Sequence, residues 1–584
     1  MRKTTLRLRF AAGCLLAVIA IAAAIGMGRD WMKNSTHDSF VYQGHGGTFK
    51  NTLAEIDTPD PSVVYHDGYY YMTFTHNGAD VMVMKSRKLD FRGAQRQTVW
   101  IPPMDTAYSA NVWAPEIQRI DGKWYIYFAA DNGQNENHRM YVLQADSDDP
   151  MGAYTFKGQV TDETNKWAID GLAMEHEGKL YFVWSGWEGD VNVQQNTYIA
   201  PMSDPLTISG PRVLLNEPTL DWEKAGGPPY INEGQAILKK DGRLFIVYSG
   251  AGSWTPYYAL GMLALKPGAD PLHADSWSKS DQPLLQMDEE AGVFGPGHNS
   301  FVCSQGGSED CWIVYHATTG RSDGWGNRKA RAQKIRWNEE GLPEFGSPLS
   351  LETAIPVPSG SGLAKAEYAK RAGSRIEFDF IESTLDGEAP LLIHYRQTSG
   401  DKRTIDLHVN GQQAADAIEV PATAANETGY LYVQIPLVPG LNTVSLPANF
   451  EGLDILAVEV PRYEAENAQT SGEAAVTPLP FTSGWGAVQL PGDAASALRF
   501  ANIAVPRDGK YKLRFAVSNN GEQPASLKIT LDGDKPQTVE AAPTGRNEYA
   551  LAELEVDLQA GVHEIKIESA NGRLFVDYLD VYGL

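Results

Sequence analysis

The stretch WAIDGLAMEHEGKLYFVWSG, residues Trp167–Gly186, predicts how most of this chain folds. It carries one acid in an apolar setting, Asp170, and then the turn pair Glu177-Gly178. The alternating run Lys179–Trp184 follows, and it is rich in residues that favour β-strands. A polar turn between two such segments is typical of a β-hairpin.

The same turn and strand recur along the first part of the chain. The other copies are Asp67-Gly68 before YYYMTF, Asp121-Gly122 before KWYIYF, Asp241-Gly242 before RLFIVY and, more loosely, Glu309-Asp310 before CWIVYH. Their spacing runs from 54 (121 − 67) to 68 (309 − 241) residues. Because one small sheet cannot bury both of its own faces, a repeat of this length predicts a radial array of sheets. Five copies predict a five-bladed β-propeller over residues 53–354.

Three acids each lie at nearly the same distance before one of these turns. Asp60 and Asp170 each lie seven residues before their turn, and Glu233 lies eight residues before Asp241. If each turn joins the innermost strand of a blade to the next strand, equal phase places these carboxylates around the central axis. The alternative for each acid, taken alone, is a structural role in a turn or at a strand end. Their shared phase favours a functional pocket.

Two further side chains share that phase, Trp113 before Asp121 and His298 before Glu309. Trp113 is predicted to stack on a sugar face, with burial in the core as its alternative. His298 is predicted to line the pocket, and its alternative is a hydrogen-bonded core histidine. Trp187, Trp254 and Trp325 lie in loops and are candidates for the pocket rim.

Composition and charge limit the function. With 584 residues and 42% hydrophobic residues, the chain is globular and has more than one domain. Its formal charge of −24 disfavours nucleic acids and anionic membranes as partners and leaves neutral sugars open. The sequence does not indicate an oligomeric state.

The N-terminal residues predict export. Residues 1–30 combine Arg2, Lys3, Arg7 and Arg9 with an apolar run from Phe10 to about Met27, which is typical of a signal peptide. Cleavage is the favoured outcome, and a retained membrane anchor is the alternative. Either outcome places the protein outside the cytoplasm, as a secreted, periplasmic or cell-surface protein. Residues 31–52 are predicted to be an exposed lead-in.

Two cysteines remain beyond the leader, Cys303 and Cys311, and they flank a Gly-rich turn on one predicted hairpin. Neighbours across a hairpin come close enough for a disulfide, which an exported protein can keep. Two buried thiols are the alternative.

After the linker-like segment Ile355–Lys365 the chain repeats itself. LLIHYRQTSGDKRTIDLHVNG parallels YKLRFAVSNNGEQPASLKITLDG, and LVPGLNTVSL parallels LQAGVHEIKI. Alternating strands fill both copies. They predict two tandem β-sandwich (jelly-roll) domains, residues 364–460 and 462–584, so the fold class is all-β.

Three carboxylates on one axis suit glycosidic bond cleavage, in which one acid protonates the leaving oxygen and one carboxylate activates water. A third carboxylate raises the pKa of the acid and orients it. The motifs around these acids resemble glycoside hydrolase family 43, and most closely its exo-acting α-L-arabinofuranosidases. They are TPDPSV, NVWAPEI, AIDG, INEGQAIL, GPGHNSF and ARAQKIRW.

The resemblance implies a five-bladed propeller and hydrolysis with inversion. It makes Asp60 the general base, Asp170 the orienting residue that modulates the pKa, and Glu233 the general acid, and it places Arg331 near the sugar pocket. It also suggests a cation near His298, as in several relatives. Where relatives often have Glu-Gly-Pro, this chain has Glu233-Gly234-Gln235.

The last domain opens with YEAENA and closes with VDYLDVYG, which resembles calcium-containing carbohydrate-binding modules of families 6 and 35. Glu464, Glu466 and Asp577 are therefore predicted to bind Ca²⁺, with solvated edge acids as the alternative. Trp485, in the loop SGWGA, is a candidate sugar platform. The first copy has Lys365 in place of Glu464, so no calcium is expected there.

The predicted function is release of terminal α-L-arabinofuranosyl residues from plant arabinan, arabinoxylan or derived oligosaccharides. A β-xylosidase or an endo-arabinanase on the same fold is the alternative within enzymes. A non-catalytic sugar-binding propeller is the alternative from another class.

Overall fold

A computed structural model describes residues 48–584 with short gaps. The gaps are residues 305–306, 308–309, 354, 359–361, 384–385, 401, 425–426, 449–450, 478, 480–481, 484–485, 494, 506–507 and 546–547. The predicted leader and most of the lead-in therefore lie outside the described residues. Within them the chain is all-β, with short 3-10 turns such as Asn135–Asn137 and Trp222–Lys224. No helix in this part of the chain is long and apolar enough to cross a membrane.

The chain divides into two units. One comprises residues 47–361 with the short segment 478–486, and the other comprises residues 362–477 with 487–584.

The first unit contains five successive groups of strands, antiparallel within each group and preceded by β1 (Thr48–Phe49); a short parallel pairing joins the third and fourth groups into one sheet. The first two groups are β2 (Ser62–His66), β3 (Tyr69–His76), β4 (Asp80–Ser86) and β5 (Gln95–Trp100), then β6 (Ala110–Ile120), β7 (Lys123–Asp131), β8 (Arg139–Ala145) and β9 (Tyr154–Val160). The third and fourth are β10 (Ala168–His176), β11 (Lys179–Gly186), β12 (Gln194–Asp204), β13 (Thr207–Ile208) and β14 (Val213–Asn216), then β15 (Tyr230–Lys240), β16 (Arg243–Gly250), β17 (Ala259–Leu265) and β18 (Trp277–Lys279). The fifth is β19 (Phe294–Cys303), β20 (Cys311–Thr318) and β21 (Lys329–Lys334), followed by β22 (Arg336–Trp337), β23 (Pro343–Glu344) and β24 (Ile355–Pro356).

The predicted turns join the first two strands of the first four groups. Both central residues have positive φ in each turn, for example Glu177 at 49° and Gly178 at 72°. The flanking residues His176 and Lys179 pair directly. Positive φ at both positions is the geometry of a type I′ hairpin turn, which the Asp-Gly and Glu-Gly pairs predict.

Hydrophobic clusters join each group of strands to the next. Alternation along β7 explains how: Trp124, Ile126 and Phe128 pack towards the first group, whereas Tyr125 and Tyr127 pack towards the third. Two more clusters join the third group to the fourth and the fourth to the fifth. A fifth cluster joins the last group back to the first. The five groups therefore pack as a closed ring.

The ends of this unit differ from the sequence prediction. Residues 48–52 are not an exposed lead-in, because β1 pairs with β24 and Phe49 is buried. The start of the predicted linker, Ile355, is likewise a buried strand residue. Asn51 also exchanges hydrogen bonds with the backbone of Ala332. The apolar Phe49 and Ile355 are covered by the core between the last and first groups, which composition alone did not reveal.

The predicted disulfide is confirmed. Cys303 ends β19, Cys311 begins β20, and the two residues are directly paired across the strands with their sulfur atoms bonded.

The second unit holds the two predicted repeats. The first copy comprises β25 (Leu363–Lys365), β26 (Lys370–Ala372), β27 (Arg375–Ser383), β28 (Gly387–Gln397), β29 (Arg403–Val409), β30 (Gln412–Val420), β31 (Gly429–Leu437), β32 (Gly440–Pro447) and β33 (Leu453–Glu459). The second comprises β34 (Tyr463–Glu464), β35 (Gln469–Ser471), β36 (Ala475–Thr477), β37 (Ala487–Leu490), β38 (Ala497–Val505), β39 (Gly509–Ser518), β40 (Ala525–Leu531), β41 (Gln537–Ala541), β42 (Ala550–Leu558), β43 (Gly561–Ser569) and β44 (Leu574–Gly583).

Strand order supports the repeat. The first copy has sheets β25-β33-β28-β31 and β26-β27-β32-β29-β30. The second has the matching orders, with β34 on β44-β39-β42 and β35-β38-β43-β40-β41, and adds β36 and β37. In each copy one hydrophobic cluster draws residues from both sheets, such as Leu513 and Leu527 in the second.

Candidate active site

The innermost strands of the ring share a backbone irregularity. Asp60, Ala114, Asp170 and Gly234 each lie seven residues before their hairpin turn, and all have positive φ, from 44° to 60°. His298 in the fifth group has a φ of 44°. In β6, β10, β15 and β19 the pairing register shifts at this point. Such a bulge re-aims the neighbouring side chains.

His298 lies at the centre of the resulting cluster. Its Nε2 donates to Glu116 Oε1 at 3.1 Å, while its Nδ1 lies 3.4 Å from Asp60 Oδ1 and 3.7 Å from Asp170 Oδ2. Burial acts to lower the pKa of His298, but Asp170, Asp60 and Glu116 outweigh it and raise that pKa to about 10. An imidazolium therefore links three carboxylates from three groups of strands.

Asp60 is held in its ionised form. Thr75 Oγ1 donates to Asp60 Oδ2 at 2.6 Å, and Arg328 Nη1 lies 3.3 Å from Oδ1. His316 Nδ1 accepts the backbone N–H of Asp60 at 3.0 Å. Burial acts to raise the pKa of Asp60, yet Arg328, His298, His316 and Thr75 together hold it well below its usual range.

Asp170 and Glu233 are coupled through the backbone. Asp170 Oδ2 accepts the N–H of Gly234 at 2.9 Å, so this carboxylate fixes the strand next to Glu233. Glu233 Oε1 accepts the hydroxyl of Tyr258 at 3.0 Å. Burial raises the pKa of Asp170 to about 6, and burial together with Asp170 raises that of Glu233 to about 8.

The cluster thus separates two carboxyl groups by protonation state. Near neutral pH Asp60 is a carboxylate and Glu233 is largely a protonated acid. One group is ready to accept a proton and the other to donate one, which is the pairing that hydrolysis of a glycosidic bond needs.

The family comparison agrees with this chemistry. Residues 49–343 match the family model "Glycosyl hydrolases family 43". The chain belongs to glycosyl hydrolases family 43. It is therefore a glycoside hydrolase, and the matched region contains all three predicted catalytic acids.

Two relatives and one solved structure are similar to this family 43 chain. An extracellular exo-α-(1→5)-L-arabinofuranosidase from Streptomyces avermitilis is 36% identical over 361 residues, which cover 60% of this chain and 71% of the relative. Alpha-L-arabinofuranosidase 43 from Humicola insolens is 33% identical over 330 residues, covering 55% and 66%. The crystal structure of an α-L-arabinofuranosidase from Lactobacillus brevis has 34% identity and a TM-score of 0.49, covering 52% and 98%.

Arg331, which the resemblance places near the sugar pocket, stays a predicted substrate-binding residue. Its side chain is 0% exposed within β21, with Nη2 3.5 Å from the carbonyl oxygen of Thr318. Arg328, three residues earlier, is instead the arginine that contacts Asp60. The motif ARAQKIRW contains Arg331 and starts after Arg328, so the resemblance did not point to Arg328.

Trp113, which is predicted to stack on a sugar, lies at the bulge of β6 and is half-buried. Its indole stacks on His138 with ring centroids 4.1 Å apart. His138 is itself fixed by Asp131, whose Oδ2 lies 3.1 Å from Nδ1. This support holds the Trp113 ring in one orientation, as a sugar platform requires, and stacking on sugar stays a prediction.

Glu116 is a residue of the site that the turn spacing does not predict. It lies in NVWAPEI, five residues before Asp121, and so falls outside the phase shared by the other acids. In β6 the register shifts twice, between Ala110 and Trp113 and between Trp113 and Glu116, so Glu116 is the first regularly paired residue after the bulges and lies opposite Tyr127. Glu116 does not follow the spacing that the other acids share, so that spacing gives no signal for it.

The three loop tryptophans differ in how far they are exposed. Trp187 is buried and stacks on Trp167 at 4.6 Å, so it belongs to the core. Trp254 is half-buried, whereas Trp325 is exposed.

In the last domain, residues 461–584 match the family model "Carbohydrate binding module (family 35)", as its opening and closing motifs predict. Glu464, Glu466 and Asp577 are all buried, and β34 brings Glu464 beside β44, which carries Asp577. They are therefore not solvated edge acids. Trp485 lies outside the described residues.

Carboxylate oxygens from both ends of this domain are suitable donors for Ca²⁺. Even so, among the described residues no three or more His, Cys, Asp or Glu side chains form a group that could hold a metal ion. Calcium in the last domain and a cation near His298 both stay predictions. In the first copy Lys365 Nζ lies 3.8 Å from Glu367 Oε1, so a lysine ammonium lies beside the acid of that copy.

Proposed function

We propose that this family 43 chain is an inverting exo-α-L-arabinofuranosidase that removes terminal arabinofuranosyl residues from plant arabinan, arabinoxylan or derived oligosaccharides. The observation that carries the proposal is the opposed protonation of two buried carboxyl groups: Asp60 has a lowered pKa and Glu233 has a pKa of about 8. The two similar arabinofuranosidases support the choice of sugar.

In the proposed mechanism Asp60 accepts a proton from water, and the water oxygen bonds to the anomeric carbon. Glu233 donates its proton to the glycosidic oxygen as the bond from that oxygen to the anomeric carbon breaks. Asp60 leaves the cycle protonated and Glu233 ionised, and exchange with solvent restores both. Attack opposite the leaving group inverts the configuration.

Three neighbours prepare these groups. Asp170 orients the strand at Gly234 and raises the pKa of Glu233 by its negative charge. Arg328 and the imidazolium of His298 keep Asp60 ionised before the substrate binds. Because these groups are already in place, little reorganisation is needed during the reaction.

The test of the proposal is a panel of nitrophenyl glycosides with the α-L-arabinofuranoside and the β-D-xyloside side by side. We expect hydrolysis of the arabinofuranoside to be the faster. Proton NMR before mutarotation should then show a β-configured product from the α-linked substrate. A faster xyloside would favour a β-xylosidase, and an α-configured product would exclude water activation by Asp60.

The remaining architecture follows from the same reasoning. We infer that the closed ring of five strand groups is a five-bladed β-propeller and that each C-terminal copy is a β-sandwich. The last sandwich binds Ca²⁺ through Glu464, Glu466 and Asp577 and binds sugar with Trp485 as its platform, and the first acts as a spacer. The chain is exported and meets its polysaccharide outside the cytoplasm.

A further inference from the structure

Two tryptophans from neighbouring loops meet at the protein surface. Trp325 follows β20 and is 62% exposed, which is unusual for so large an apolar side chain. Trp254 follows β16 and is half-buried. Their ring centroids lie 5.7 Å apart in an edge-to-face arrangement, at an angle of 73°.

Both rings are held in place despite the exposure. Trp325 Nε1 donates to Ser253 Oγ at 3.2 Å, so the two loops are joined by a hydrogen bond. The loop of Trp325 is braced internally, since Asn327 Nδ2 donates to Asp323 and Thr319. Trp254 folds over Gly252, where a Cβ atom would come within 2.6 Å of the indole Cζ2. A rigid, exposed aromatic surface is typical of a ligand platform.

Each loop also contacts one of the reacting carboxyl groups. The carbonyl oxygen of Trp325 accepts Arg328 Nε at 3.1 Å, and Nη1 of the same arginine reaches Asp60. The loop of Trp254 continues to Tyr258, whose hydroxyl donates to Glu233. The two loops therefore connect the exposed tryptophan pair to the side of the site that holds Asp60 and to the side that holds Glu233.

We propose that Trp325, supported by Trp254, is the subsite for the leaving group, and that it stacks on the apolar C–H face of a pentose ring. The inference rests on the proposed function. The terminal sugar occupies the buried cluster around His298, so the next sugar along the chain emerges beside the acid Glu233. The exposed indole is the surface that this second ring meets, and it recognises the sugar without hydrogen bonds of its own to the ring.

The test compares substrates that differ only in the leaving group. They are α-1,5-L-arabinobiose, an arabinofuranosyl xylobiose, and α-L-arabinofuranosyl azide, whose small leaving group cannot reach the rim. Trp325→Ala should lower kcat/KM by roughly tenfold on a substrate whose second ring stacks there. It should change azide hydrolysis by less than about threefold, since no second ring is lost. Trp325→Phe should give an intermediate loss.

The two oligosaccharides identify the occupant. A loss with arabinobiose supports an arabinofuranose ring, and a loss with the xylobiose-linked substrate supports a xylopyranose ring. Gly252→Ala should reproduce part of the loss by displacing Trp254. Gly189→Ala is the matched control, because a Cβ atom there meets nothing within 4 Å.

Two results would overturn the subsite. One is an unchanged kcat/KM on both oligosaccharides in Trp325→Ala. The other is an equal loss on the azide, which would show that the substitution acts through Arg328 and Asp60. A wild-type enzyme inactive on all three substrates would refute the proposed function itself, so the two failures are distinguishable.

Discussion

The hydrogen bond from Tyr258 to Glu233 offers a direct test of the acid assignment. Its oxygen atoms are 3.0 Å apart, and it stabilises the ionised carboxylate over the protonated acid. Tyr258→Phe removes this donor and the hydrogen bond between the hydroxyl and Ser249, and it keeps the ring that stacks on His316. A hydrogen bond to a charged group contributes about 1.5–3 kcal/mol, and this bond is at the long end of the usual range. One pKa unit corresponds to about 1.4 kcal/mol, so the loss should be close to one unit.

The sign follows from the charge that the bond favours. Without the donor the pKa of Glu233 should rise from about 8 towards roughly 9. Glu233 must be protonated to act, so activity should persist to higher pH by about one unit. The measurement is kcat/KM on arabinobiose across the alkaline range, because that ratio reports the free enzyme. Tyr257→Phe is the matched control, since its hydroxyl contacts Arg321 at the surface.

An alkaline limb that stays in place in Tyr258→Phe would show that another group sets it. A limb that moves to lower pH would mean that Tyr258 stabilises the protonated acid. Either result would refute the assignment of Glu233 as the general acid held by Tyr258.

Three further predictions follow from the same structure. Glu233→Gln should abolish turnover of natural substrates but retain part of the activity on activated aryl glycosides, because these need little protonation. Asp60→Asn should lose activity on both classes of substrate, and near-normal rates in the same assays would exclude Asp60 as the base. Glu116→Leu removes the acceptor for His298 Nε2 and should lower kcat on the order of 100-fold through misplacement of the cluster, while Glu116→Gln keeps an acceptor oxygen and should retain clearly more; equal kcat values would contradict the positioning role. If Ca²⁺ binds the folded last domain, EDTA should lower its melting transition in the full chain and Ca²⁺ should restore it, and Asp577→Asn should abolish the response; a transition indifferent to EDTA would remove calcium from that domain.

Much of the fold was predictable because its signals are local. Two-residue turns such as Asp121-Gly122 need positive φ at both positions, and Asp-Gly pairs adopt it readily. The alternation along β7 predicts two buried faces, as the clusters on either side of it show. The closure by β1 and β24 was not predictable, since each strand has only two residues and pairs with a partner roughly 300 residues away.

The candidate site was predictable for a different reason. Phase relative to the turns found Asp60 and Asp170 because the same number of regularly paired residues, Ser62–His66 and Leu172–His176, lies before each turn. The same rule indicates Ala114 and Gly234, so the functional side chain need not be the bulged residue itself. Glu233 lies one residue before the bulge, where it contacts Tyr258, and Glu116 lies two residues after the bulge, where it contacts His298.

This offset has a physical cause. A bulge adds residues to one strand without lengthening its partner, so the side chains before and after it leave the strict two-residue alternation. In β6 the register shifts twice before Glu116, which is the first regularly paired residue after the bulges and contacts His298. Turn spacing locates each bulge but does not identify which residue near it carries the acid. The carboxylates around His298 come from the bulged residue itself at Asp60 and Asp170 and from a residue beyond the bulge at Glu116, so the turn spacing finds the first two and misses the third.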